Sequence, residues 1–335
     1  MNTEILPAHT PGLFQTAVRR AADLLRAGQV VALPTETVYG LAANALDENA
    51  VANIFRIKGR PSRNPIIVHV ASLDMAKRCV GVFPGLAEKL ARAFWPGPLT
   101  LVLPRGNLIP NIVTAGGETV GIRWPAHPLI QAVIRECGFP LAAPSANLSN
   151  QISPTNAAHV LNQLAGAIPA IVDGGQSVVG IESSVLDLTV SPPQILRPGM
   201  IHEESLAAVC GKVRAAGPAG QSPELRSPGL FKKHYAPKAK LLLLNWTDDA
   251  GLKRKIQDLK FKPEHCHIIA HTQIPSPEPF ARVCVIPHDA EAFARAIYAE
   301  LHRCDEAGAD AIVVEAPPEM PAWSGVADRL RRAAA

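Results

Sequence analysis

Three cations, Lys58, Arg60 and Arg63, crowd the stretch KGRPSRNP (58–65) together with Gly59, Pro61 and Pro65, and an apolar run carrying His69 follows at once. An ammonium and guanidinium forks on a stiffened turn suit phosphate oxygens, because rigid donors lose little entropy when they engage. A solvated loop with idle charges is the plainer reading of such a triplet alone. Asn64 and His69 weigh against it by adding neutral polar groups beside the cations.

A second stretch, APSANLSNQISPT (143–155), sets Ser145, Asn147, Ser149, Asn150 and Ser153 in a loop after a short apolar run. Hydroxyls, amides and exposed N–H groups of this kind cradle an anion or bind sugar hydroxyls, or else satisfy their own turn. GIESSVLDL (180–188) and ILRPGMI (195–201) add Glu182, Ser183, Ser184 and Arg197 at strand ends, each weak by itself.

Several familiar devices are missing. The chain has no GxxxxGK[ST] phosphate loop, no GxGxxG fingerprint and no GxSxG elbow. His265, Cys266 and His267 alternate along a predicted strand and so cannot all face one ion, which argues against zinc. What remains is anion and polar-group binding without a covalent catalyst. That profile suits an enzyme that positions phosphates and lets a substrate supply the nucleophile.

The elements that would hold these residues read as follows. FQTAVRRAADLLRAG (14–28) has helical spacing with Gly28 as its stop, and VVALP (30–34) is a short buried strand ending in Thr35-Glu36-Thr37. Asp47 caps a second helix, ENAVANIFRIKG, that delivers the chain into the cationic turn. PIIVHV, LTLVLP (99–104), TVGIRW (119–124), PLAAP (140–144), PAIVDGG (169–175) and SSVLDL (183–188) are further strands. Residues 1–210 thus form one α/β unit. Residues 211–238 are rich in Pro, Gly and polar residues, as a linker is. Strand and helix patterns alternate over 239–335, the signature of a small parallel α/β domain.

Composition sets the bounds. The 335 residues are 47% hydrophobic and 19% charged, an ordinary globular balance with room for two domains. Aromatics at 5% are too sparse for a base-stacking surface, while a net charge of +4 leaves a nucleotide or weak RNA binding open. Six scattered cysteines indicate reduced thiols; with no signal peptide and no run of about 20 apolar residues, a cytoplasmic protein without membrane association is expected.

Taken in order, PTETVYGL (34–41), KGRPSRNPIIVHV (58–70), FWPGPLTLVLP (94–104), VGIRWPAHP (120–128), APSANLS (143–149), GIESSVLDL (180–188) and ILRPG (195–199) resemble the YrdC-like domain of threonylcarbamoyl-AMP synthases. SPGLFKKHYAPK (227–238) followed by an α/β domain resembles the long, two-domain form. The resemblance covers almost the entire chain. It implies a YrdC-like twisted mixed sheet with helices, plus a smaller Rossmann-like parallel α/β domain. It also implies a nucleotidyltransferase that condenses L-threonine, bicarbonate and ATP, with Mg2+, to threonylcarbamoyl-AMP and pyrophosphate. No resident metal is implied. A tRNA threonylcarbamoyltransferase complex would take the product to N6 of adenosine 37.

By the same resemblance, Lys58, Arg60, Ser145 and Asn147 would be catalytic. Arg60, Asn64, Thr119, Ser145, Ser153, Arg197 and Tyr235 would contact ATP, the last from a linker acting as a lid. Thr37, His69, Arg123, the backbone at Ala143 and Ser183 would hold L-threonine. Two positions depart from the pattern: Ser184 where threonine is commoner, and Asn150 where glycine is usual. Rival readings are an RNA-binding protein, a synthase of a different carbamoyl adenylate, and a paralogue that keeps the fold without activity.

Overall fold

The computed structural model describes residues 2–215 and 234–335. The chain divides into two compact units, one of residues 1–149 and 153–230, the other of residues 150–152 and 231–335. Most of the linker, including the Phe231–Lys233 part of its motif, lies outside the described residues.

The first unit is built on ten strands: β1 (Glu4–Pro7), β2 (Val31–Leu33), β3 (Gly40–Asn44), β4 (Val68–His69), β5 (Leu99–Pro104), β6 (Thr119–Arg123), β7 (Leu141–Ala142), β8 (Ala170–Asp173), β9 (Ser184–Asp187) and β10 (Gln194–Arg197). They form one mixed sheet in the order β1-β8-β2-β3-β7-β4-β6-β5-β9-β10. Strands buried on both faces explain the unbroken apolar runs in the sequence: β2 is wholly buried, and so are the first five residues of β5.

Two central strands are shorter than their patterns predict. Of PIIVHV only Val68–His69 joins the ladder, and of PLAAP only Leu141–Ala142. Pro140 directly before β7 and Pro144 just after it supply no N–H to a ladder; β4 has only Pro65, three residues upstream, and no proline close behind it. The site loops begin there.

The helix Glu48–Lys58 follows its predicted bounds. Asp47 Oδ1 accepts hydrogen bonds from the N–H groups of Asn49 (2.9 Å) and Ala50 (3.2 Å), an N-cap worth about 1 kcal/mol. Gly59 ends the helix with φ 57°, where a side chain would be strained. Start and stop together fix Lys58 as the last helical residue.

The second unit carries β11 (Lys240–Leu244), β12 (Cys266–Ala270), β13 (Arg282–Val285) and β14 (Ala311–Glu315), all parallel, in the order β11-β14-β12-β13. Its core includes Trp246, Leu252, Ile256, Ile268 and Val313. Within the His265–His267 triplet, His265 pairs with Asp310 while Cys266 and His267 are buried. Among the described residues no helix is long and apolar enough to cross a membrane.

Candidate active site

Register places the first pair of candidates. β4 and β6 run parallel with His69 opposite Arg123, so the imidazole and the guanidinium lie side by side on one face. On its other edge β4 pairs with β7, His69 opposite Leu141, which brings Ala143 and the serine loop alongside. The Ala143 N–H donates to Ile67 O at 3.2 Å.

The loop between β2 and β3 meets Arg123 from another side. Arg123 Nη1 donates to Thr37 Oγ1 (2.9 Å) and Nε to Gly97 O (3.3 Å). Arg123 Nη2 lies 2.8 Å from Glu36 Oε1, an ion pair whose angle is off the hydrogen-bond direction. Both Glu36 oxygens therefore lack a hydrogen-bond donor among the described residues, although the side chain is buried. His69 is 4% exposed, and its Nδ1 likewise has no hydrogen-bond partner there. Burial, with the Arg123 charge beside it, lowers the His69 pKa to about 3, so the ring is neutral at physiological pH.

The cationic turn is divided. Lys58 and Arg60 are buried and Arg63 is exposed. Lys58 Nζ donates to Ser145 O at 2.6 Å and to both oxygens of Asn147, the side-chain one at 3.4 Å. Burial, and then the Arg60 charge, hold the Lys58 pKa well below its ordinary value. Arg60 donates to Asn64 O (3.1 Å) and Pro65 O (2.7 Å), closing the turn on itself. Asn64 is buried with its Oδ1 unmatched among the described residues.

Arg197 donates from Nε to Ser183 O and from Nη2 to Ser183 Oγ, both at 3.1 Å. Ser183 Oγ also lies 2.8 Å from Thr100 Oγ1. Ser153 Oγ donates to Glu182 Oε1 at 2.5 Å. Thr119 opens β6 and, with Thr100 and Thr114, lines a small pocket beside Pro65 and Val185.

Thirteen of the candidates thus fall on the first unit, at strand ends, in loops, or, for Lys58, at the end of the helix Glu48–Lys58. Tyr235 belongs to the second unit, where it is buried with φ 61° and lies under the Arg329 guanidinium, 5.4 Å from the ring centre. Two carboxylates, Glu36 and Glu182, were visible in the sequence only as members of polar loops. Their ties to Arg123 and Ser153 join distant segments. The one sequence signal was an acidic residue between two threonines just after a buried strand.

This is a two-unit α/β protein whose larger unit gathers buried cations and neutral polar groups at the interrupted centre of a mixed sheet, a class suited to small anionic substrates. A family model described as "Telomere recombination" (Sua5/YciO/YrdC) matches residues 23–199, and one described as the threonylcarbamoyl-AMP synthase C-terminal domain matches residues 201–335. The threonylcarbamoyl-AMP synthase of Pyrococcus abyssi is 42% identical over 323 residues, covering 94% of this chain and 93% of that protein. The Bacillus subtilis protein of the same name is 41% identical, covering 95% and 92%. The crystal structure of P. abyssi Sua5 complexed with L-threonine superposes with a TM-score of 0.90 at 40% identity, over 100% of this chain and 98% of that one. The chain belongs to the threonylcarbamoyl-AMP synthase family and is an enzyme of the adenylyl-transferring kind.

Proposed function

We propose that this chain condenses L-threonine, bicarbonate and ATP into L-threonylcarbamoyl-AMP and pyrophosphate, for the N6-threonylcarbamoyladenosine modification of tRNA adenosine 37. The observation that carries the reading is the full-length match to a threonine-bound relative, combined with the in-register His69–Arg123 pair beside Thr37. In this reading Thr37, His69, Arg123, Ala143 and Ser183 hold the amino acid. Arg60, Asn64, Thr119, Ser145, Ser153 and Arg197 hold the nucleotide, whose Mg2+ arrives with it as part of the substrate.

The chemistry asks little covalent work of the protein. Threonine and bicarbonate give a carbamate, whose anionic oxygen attacks the α-phosphorus and displaces pyrophosphate. Bringing two anions together needs fixed cations and aligned donors, which act most strongly where water is excluded. A tRNA-modifying transferase complex would consume the adenylate.

Pyrophosphate release from the full chain, with threonine and bicarbonate omitted in turn, tests the reading. Release that requires both, and is lost in Arg60→Ala, is expected. A folded protein that releases none under any combination overturns it.

A further inference from the structure

Three successive backbone N–H groups of the second unit converge on one carboxylate just past the end of β12. His271 and Thr272 donate to Glu315 Oε2 at 2.7 and 2.8 Å, and Gln273 donates to both oxygens at 3.2 Å. The Thr272 hydroxyl donates to Oε1. Consecutive N–H groups turned toward one point make a concavity of the kind that holds anions. The loop has supports besides Glu315: Trp246 Nε1 donates to Gln273 O at 2.8 Å, and Phe293 and Trp323 flank the His271 ring.

No fixed cation balances this buried charge. Among the described residues no lysine or arginine pairs with Glu315, and its one ion-pair contact is His271 Nδ1 at 3.9 Å. That ring is neutral. Its Nε2 faces Ala316 O at 3.4 Å, which can only accept, and its Nδ1 lies 2.8 Å from Nδ1 of His288. One proton fits between the two Nδ1 atoms, and burial lowers the His271 pKa, so His288 supplies it. Burial opposes the charge on Glu315, yet the Thr272 hydroxyl and the N–H groups of Thr272 and His271 hold its pKa below the usual carboxylate value.

The place in the fold is specific. Ile269 of β12 lies opposite Val314 of β14, so Glu315 and the segment after Ala270 meet at the carboxyl ends of neighbouring parallel strands. From β12 the chain continues to β13 on one side; from β14 it continues to the helix Ser324–Ala334, which packs against β11 on the other. In open parallel sheets the crevice at such a divergence is where ligands bind. We propose that the His271–Gln273 backbone is an anion cradle at the ligand position of the second unit, and that the Glu315 carboxylate is its built-in occupant. The cradle is thereby closed to phosphate and to other outside anions. The proposal is independent of the reaction proposed for the first unit.

Amide hydrogen exchange of the full chain reads the cradle directly, because Thr272 and Gln273 are exposed loop residues whose N–H groups are held by Glu315. Glu315→Ala is expected to speed exchange at both about tenfold, the worth of one such hydrogen bond. Acetate should slow it again in a saturable way, and acetamide, its uncharged counterpart, should not. In the wild-type chain, inorganic phosphate and ATP should leave the resonances of these two amides in place. Acetate without effect on folded Glu315→Ala would show a plain structural tie and overturn the proposal. A wild-type shift of the two amides with phosphate would overturn it as well, by showing an open site. Glu315→Gln keeps the side chain's size and serves where the alanine variant does not fold. Its amides should also exchange faster, and exchange as slow as in the wild type would mean that no anion is needed.

Discussion

Lys58 grips Asn147 by both of its oxygens, backbone and side chain, while its own carbonyl accepts the N–H of Ser149 at 2.8 Å. With Ser145 O as the third acceptor, the ammonium's three N–H groups are all engaged by the serine loop. In this arrangement the lysine shapes the anion cradle, and the neutral groups of that loop are what the cradle presents.

Removing the ammonium should therefore loosen the loop before anything else. Lys58→Met removes one donor from Ser145 O and one from each Asn147 oxygen, and a buried acceptor that loses its donor costs about 1–3 kcal/mol. We expect a loss of stability of roughly 3 kcal/mol in urea titration and fast amide exchange at Ser149. A Ser149 amide as protected as in the wild type would show that the loop holds itself.

Glu36 and Arg123 should behave as a unit. Either Glu36→Gln or Arg123→Met leaves one charge buried without its partner, a loss of about 3–5 kcal/mol. The double variant should be less damaged than the two single losses added together. Strict additivity in a double-mutant cycle would mean that the 2.8 Å contact contributes no coupling.

Acid should find His69. Its folded pKa is depressed to about 3, below the unfolded value of about 6.5, so the unfolded chain binds the proton first. This contribution is intact above the unfolded pKa and is lost as pH falls toward the folded one, with a limiting slope of about 1.4 kcal/mol per pH unit. Urea titrations between about pH 7 and 5 should show a shallower decline in His69→Gln. Identical slopes would place the acid sensitivity elsewhere.

Asn150 sits at φ 67°, the left-handed region that asparagine and glycine tolerate. Asn150→Gly should leave stability within a few tenths of a kcal/mol, and Asn150→Val should lose about 1–2 kcal/mol. Thermal unfolding of the pair checks it; a neutral valine would mean that the loop relaxes out of this conformation.

How much of this was legible depended on whether the signal was local. The capped helix Glu48–Lys58 and the strand Leu99–Pro104 match their predicted bounds because cap, stop and apolar run are contiguous in sequence. β3 went unread because GLAAN is made of small residues without alternation, and β1 because EILP is short and ends in proline. The final helix, Ser324–Ala334, buries Arg329 and Arg332, and no sequence reading singled either of them out. At the site, motif order pointed to His69 and Arg123, but only strand register shows them adjacent. Glu36 stayed hidden because its partner is far along the chain.

The sheet order also governs when the enzyme can come into being on the ribosome. β1 waits for β8, its only ladder partner among the described residues, and β4 at the centre is held between β6 and β7. The amino-terminal strand therefore stays unpaired until residues 170–173 have emerged, and the Ser183–Arg197 contact closes later still. Loop closure over such separations is slow, and unpaired strand edges invite aggregation meanwhile. The contacts of Lys58 with Ser145 and Asn147 and of Arg123 with Thr37 need only the first 147 residues, whereas the Ser183–Arg197 contact waits for residue 197.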